Sequence, residues 1–231
     1  MTARRRSWDQ GAGGGRAPAS ATASDGRTTI AALAMGGRPD EVPAPDDWLT
    51  EVERDRGARF MFEADRDSFV AAHLLVRLCA AAVLGVEPEK LTLRQYCDLH
   101  GHGHGRPYIE EAPELGVSLS HTRGYVCAAA GPGKVGIDAE RVPAGPLHAD
   151  LADSVLTPRE RAAVTGNDEL IRRFTRKEAL IKRGELTLGT LGSGGDDLTG
   201  RHLLEWSAGP DIRVAVVTDV PARRAVIPLS W

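Results

Sequence analysis

The chain has 231 residues, 42% of them apolar, and a formal net charge of −3, which suits one large domain or two small ones around a real core. With an isoelectric point near 6.2 there is no overall basic field to draw nucleic acid, and none is expected as a partner. No apolar run reaches the roughly 18–20 residues of a membrane span, so no membrane partner is expected either.

Residues 1 to about 27 carry Arg4-Arg5-Arg6, Gly13-Gly14-Gly15 and scattered Ala, Ser and Pro, without the apolar core of a secretory signal. They read as a disordered extension. Thr28 to Met35 reads as a first strand, closed by Gly36-Gly37-Arg38-Pro39. Asp46-Asp47 open a helix running through Trp48 and Val52 toward Phe60. Arg54, Arg56 and Arg59 gather near its end, and a solvated charged face is the commoner meaning of such a cluster. Asp67 or Ser68 starts a long apolar helix, interrupted by His73 and Arg77, that stops at Gly85 before Pro88.

Cys97, His100, His102 and His104 have residue types and spacing suited to zinc, although short Gly-His loops also arise without metal. The three cysteines, Cys79, Cys97 and Cys127, fit reduced thiols in a cytoplasmic protein better than a disulfide framework. Arg106, before Pro107, has a planar fork suited to phosphate, or is a surface arginine in a turn. Val117 to Ser120 and Tyr125 to Ala130 read as a hairpin joined by His121-Thr122-Arg123-Gly124. Adjacent Ser120 and His121 face opposite ways on a strand, and no G-x-S-x-G elbow is present, so nucleophilic hydrolysis is a poor fit.

Val135 to Arg141 alternates as a half-buried strand, which puts the carboxylates of Asp138 and Glu140 on one face. Two like charges side by side are tolerable in water or around a cation, so a solvated acidic turn and a magnesium site both remain open. Thr157-Pro158-Arg159-Glu160 combines a Thr cap, Pro at the first helical position and Glu at the third. The helix that follows has Asn167 or Asp168 as cap, Gly184 just past its end, and Leu170, Ile171, Phe174 and Ile181 as its stripe. Glu178 and Lys182 fall on that stripe. They are either an ordinary pair worth about 0.2–0.5 kcal/mol when exposed or groups turned inward for a reason. Beyond a Gly- and Asp-rich segment (191–200), Leu203 to Trp206, Ile212 to Thr218 and Ala225 to Leu229 look like strands.

The order V-G-I-D-A-E-R (135–141), then F-T-R-K-E-A-L-I-K (174–182), resembles the 4′-phosphopantetheinyl transferases of the Sfp type. Ser120-His121-Thr122, Gly105-Arg106-Pro107 and Ala58-Arg59-Phe60 with its following helix extend the likeness from about Glu51 to Gly184. The resemblance implies an α+β fold of two similar α/β halves with pseudo-twofold symmetry, each a small antiparallel sheet packed with a long helix. The halves would be 28–131 and 132–231, the second carrying the metal site.

It implies transfer of 4′-phosphopantetheine from coenzyme A to a serine of an apo acyl- or peptidyl-carrier protein, releasing 3′,5′-ADP, in polyketide or nonribosomal peptide biosynthesis. Asp138, Glu140 and Glu178 would hold Mg2+. Glu178, Lys182, Asp138 and His121 would be the catalytic set, with Glu178 or a water on the metal as base. Arg54, Arg56, Arg106, Ser120, His121, Lys177 and Lys182 would bind coenzyme A. A two-half chain of this kind is expected to be a monomer.

The sequence departs from the family where Ser68 stands in place of a basic residue, Phe174-Thr175 in place of Trp-Ser, and Arg176 at a commonly apolar site. Arg172, Arg173, Arg176 and Arg183 are candidate docking charges for an acidic carrier, or simply an exposed helix face. The rival readings are a non-catalytic coenzyme A-binding or carrier-docking module of the same fold and a zinc-dependent binding protein.

Overall fold

The computed structural model describes residues 31–43, 45–97 and 101–228, with backbone alone for 97 and 102–104. The extension over 1–27, the start of the first strand, and the Cys97, His100, His102 and His104 side chains lie outside the described residues. The architecture is α+β. Strand β1 (Ala32–Gly37) lies between β5 (Tyr125–Pro132) and β9 (Ala222–Arg224), and β4 (Leu115–Thr122) completes the order β4-β5-β1-β9. Strands β2 (Leu93–Cys97) and β3 (Gly101–Ile109) form a separate hairpin. Strands β6 (Val135–Arg141), β8 (Ile212–Thr218) and β7 (His202–Ala208) form a third sheet in the order β6-β8-β7.

The first strand ends at Gly37, and the last falls on 222–224 rather than on Ala225 to Leu229. It pairs parallel with β1, so the end of the chain returns to the first sheet. The β2–β3 hairpin was not legible, because its Gly-His run has no apolar alternation to mark a strand.

Helix α1 (Glu51–Gly57) is set by a capping box between Thr50 and Glu53. Asp46-Asp47 form only a short 3-10 turn, Asp46–Trp48, before it. Helix α2 (Glu63–Leu84) starts ahead of Asp67, with Glu63 and Asp65 complementing the positive end of its dipole. It stops at Gly85, whose φ of 70° is the left-handed conformation that a helix C-cap favours. Every residue from Ala71 to Ala81 is buried, against β1, β4 and β5. Among the described residues α2 is the one helix long and apolar enough by composition to cross a bilayer, and 72% of its most apolar stretch is buried in the protein.

His73 and Arg77, the interruptions of that helix, point into the core and meet Glu53. Arg77 donates to both carboxylate oxygens at 2.9 and 2.6 Å, and His73 Nδ1 lies 2.8 Å from Oε1. Burial alone would raise the Glu53 pKa, but the hydrogen bonds from His73 and Arg77 outweigh it and hold the carboxyl at about 2. A carboxyl depressed in the folded state stabilises the fold above its unfolded pKa near 4.5, and that stability is lost as pH falls toward 2. The contribution at neutral pH is on the order of 3 kcal/mol. Between pH 5 and pH 2.5, urea unfolding of the wild type should lose roughly 2–3 kcal/mol more than that of Glu53→Gln. Equal losses would show that Glu53 is not the acid-sensitive link between α1 and α2.

In the second half, α3 (Ala149–Val155) precedes α4 (Pro158–Ala163), which carries the expected Thr157–Glu160 capping box. Helix α3 was not anticipated. Helix α5 (Asn167–Lys182) is capped by Gly166 rather than by Asn167 or Asp168. The Asn167 amide instead donates to the carbonyls of Pro143, Gly145 and Pro146 and accepts from the His148 N–H, so it staples the loop before α3. Helix α5 packs on β6 and β8. It comes close to β6 because residue 136 is glycine; a side chain there would run into the Ala179 carbonyl.

Candidate active site

Strand β6 sends Val135, Ile137 and Ala139 into an apolar core with Val214, Val216 and Trp206. Its other face, Gly136, Asp138 and Glu140, is turned toward α5 as the strand period requires. The close approach at Gly136 brings Glu178 and Lys182, one turn apart on α5, to the acidic positions of β6. Lys182 donates to Asp138 Oδ1 at 2.8 Å and to the Leu119 carbonyl at 3.2 Å. Ser120 donates to the same Oδ1 at 2.9 Å. Asp138 is only 4% exposed, and its Oδ2 is buried without a hydrogen-bond partner.

The acids act on one another electrostatically. Burial, then the charges of Asp138 and Glu178, push the Glu140 carboxyl up to about 7, against the opposing effect of Lys182. Burial and Asp138 likewise raise Glu178, again opposed by Lys182. Lys182 is thus ion-paired with Asp138 and acts on Glu140 and Glu178 through its charge. Among the described residues no three His, Cys, Asp or Glu side chains are gathered closely enough to hold a metal ion. By chemistry the three carboxylates would suit a hard divalent cation: their donor atoms are all oxygen, and one buried carboxylate oxygen has no donor of its own.

The other expected residues divide. His121 sits at the neighbouring position of β4 and is exposed. The protein atoms around it lower its pKa by desolvation, and the charges of His73 and Lys182 lower it further, against Asp65. Arg106, on β3, lies over the backbone of Gly184 at the end of α5, where a side chain would collide with its guanidinium. Arg106, Lys134, Lys182 and Arg183 line one cleft of about 220 Å³. Lys134, directly before V-G-I-D, was not among the expected residues; its ammonium lies 3.8 Å from Glu185.

Arg54 and Arg56 each spend one of their five N–H donors within the chain. Arg54 donates to the Leu49 carbonyl, and Arg56 bonds Gln95 at 2.7 Å and lies over the Phe69 ring.

Two expectations need correction. Lys177 is fully buried, and its ammonium donates to Val155 O, Glu160 Oε2 and Leu191 O at 2.8, 2.6 and 2.8 Å. An ammonium has three donors. Lys177 therefore has none left for coenzyme A. Of the candidate docking arginines, Arg172 pairs with Asp168 and Arg173 with Glu169 on the partly exposed side of α5, and Arg176 pairs with Glu205 and Asp196. Arg183 is 2% exposed and paired with Glu185 and Asp219, so it is no surface charge. A helix period cannot reveal that Asp196, Glu205 and Asp219, further along the chain, supply carboxylates to Arg176 and Arg183.

Residues 134–214 match the model of the 4′-phosphopantetheinyl transferase superfamily. A "4′-phosphopantetheinyl transferase" of Bacillus subtilis is 24% identical over 143 residues, covering 58% of this chain. The match spans 59% of the length of that curated relative. Both findings are likenesses to that superfamily over part of the chain. The family match contains Asp138, Glu140, Glu178 and Lys182; Arg106, Ser120 and His121 lie before it.

Proposed function

We propose that this chain is a transferase of the Sfp type that moves 4′-phosphopantetheine from coenzyme A to a serine hydroxyl of an apo acyl- or peptidyl-carrier protein, in a magnesium-dependent reaction that releases 3′,5′-ADP. The observation that carries the reading is the buried Asp138 carboxylate with its unpartnered Oδ2, held beside Glu140, Glu178 and Lys182 inside the family match.

Attack on a pyrophosphate depends on positioning and on neutralising charge at the phosphate oxygens. A divalent cation held by Asp138, Glu140 and Glu178 supplies positive charge to those oxygens when bound. Lys182 uses two of its three donors on Asp138 and Leu119, which leaves one for a phosphate oxygen. Arg106 extends the positive wall of the cleft, and His121 donates a hydrogen bond from the hairpin side. The carrier serine Oγ bonds to the phosphorus bearing pantetheine as the bond to 3′,5′-ADP breaks. Glu178 takes the serine proton.

The halves 28–131 and 132–231, related by a pseudo-twofold axis, form the framework of the same reading. Its support is that α2 and α5 each lie on a mainly antiparallel sheet. The chain acts as a monomer in the cytoplasm, in polyketide or nonribosomal peptide biosynthesis.

Intact-mass spectrometry of apo carrier domains incubated with the protein, coenzyme A and magnesium tests this. The expected result is a phosphopantetheine mass gain, lost with EDTA and on a carrier without its serine, from a species whose light-scattering mass is near 24.7 kDa. No gain on any of several acyl- and peptidyl-carrier domains would overturn the transferase reading. Coenzyme A binding without transfer would replace it with the non-catalytic module.

A further inference from the structure

Strands β4 and β6 are edges of different sheets, and no backbone ladder joins them. They lie side by side nonetheless, and two serines of β4 make the connection. Ser118 and Ser120 are two apart on the strand and so point the same way. Ser118 Oγ accepts from the Ile137 N–H at 3.1 Å, and Ser120 Oγ donates to Asp138 Oδ1 at 2.9 Å. Both are buried, at 3% and 8% exposure.

The two stitches have different consequences. The first satisfies a backbone group. The second, with Lys182, saturates one oxygen of Asp138 and leaves Oδ2 buried and unpartnered. A buried carboxylate oxygen without a donor is costly unless something else supplies positive charge. We propose that Ser120 is a positioning residue for the metal-binding carboxylate: its hydroxyl fixes the rotation of the Asp138 side chain so that Oδ2 is the oxygen offered to the cation. The inference rests on the magnesium reading above.

Lys182 reaches the same oxygen from a long flexible stem and can follow the carboxylate as it turns. A serine hydroxyl on a strand cannot. The arrangement also excludes Ser120 as a donor to phosphate. An ionised carboxylate only accepts, so the single hydroxyl proton of Ser120 is spent on Asp138. The proposal gives it a role exerted through Asp138 in place of the expected one as a coenzyme A ligand.

Ser118 supplies the control, being on the same strand and face, equally buried, and bonded to backbone instead of carboxylate. Mn2+ titrations followed by electron paramagnetic resonance, on the full chain with and without coenzyme A, would compare wild type, Ser120→Ala, Ser120→Thr and Ser118→Ala. Ser120→Ala should weaken Mn2+ binding about 10–100-fold, the usual effect of removing a group that orients a metal ligand, and Ser120→Thr should restore most of it. Ser118→Ala should lower the melting temperature and leave Mn2+ affinity near that of the wild type. Metal-free coenzyme A binding should be the same in Ser120→Ala and wild type.

Unchanged Mn2+ affinity in Ser120→Ala, or an equal loss in Ser118→Ala, would overturn the proposal while leaving the metal reading intact. Loss of metal-free coenzyme A binding in Ser120→Ala would return that serine to the ligand set. Absence of saturable Mn2+ binding in the wild type, with coenzyme A present, would overturn the metal reading and this proposal together.

Discussion

Asp138→Asn should lower phosphopantetheine transfer by roughly 10²–10³-fold while the protein remains folded, a loss of the size seen when one charge-stabilising group is removed from a reaction centre. The substitution keeps the shape of the side chain and a carbonyl acceptor for Ser120 and Lys182, the two donors that now meet Oδ1 at 2.9 and 2.8 Å. It removes the negative charge that offsets Lys182 and replaces the unpartnered Oδ2 with an amide that cannot ligate a hard cation. Glu178→Gln should cost a comparable factor, because it removes both a charge and the group assigned to take the serine proton. The measurement is the initial rate of carrier modification by intact mass, at saturating magnesium, beside circular dichroism spectra of each variant. Near-wild-type rates for either substitution would remove that residue from the mechanism.

Lys177→Ala should destabilise the protein by about 3–5 kcal/mol, as breaking a buried ion pair from one side does. The Glu160 carboxylate would lose the partner that, against the opposing effect of burial, holds its pKa well below the carboxylate range. The Val155 and Leu191 carbonyls would lose their donor in the same step. Together these contacts tie α5 to α3, α4 and the loop beyond α5. In a chain of this length the loss corresponds to roughly 6–20 °C in melting temperature. Calorimetry gives the stability, and coenzyme A titration at a temperature where the variant is still folded gives the ligand affinity. A large fall in melting temperature with unchanged affinity is the expected pair of results. A normal melting temperature with weakened coenzyme A binding would restore Lys177 to the ligand set and count against the burial described above.

What the sequence alone determined is whatever depends on period and local chemistry. Val135 to Arg141 is a strand because alternation marks it, and the same period turns Asp138 and Glu140 together toward α5. Thr157-Pro158 and Gly184 mark a helix start and a helix end because a side-chain cap and a left-handed φ are properties of two or three adjacent residues. Glu178 and Lys182 were visible as charges on an apolar stripe, which is also a matter of period.

Tertiary structure decided which oppositely charged groups meet. Lys177 and Lys182 sit on one helix five positions apart, and nothing local says that the first is spent on Glu160 while the second reaches Asp138. Likewise His73 and Arg77 break an apolar run in sequence, yet Glu53 from another helix compensates both in the core. The link from Ser120 to Asp138 exists only because two sheet edges lie side by side without a shared ladder. Burial makes an unpaired charge too costly to leave, but the partner that relieves it is chosen by packing between distant segments, and that choice leaves no periodic trace in the chain.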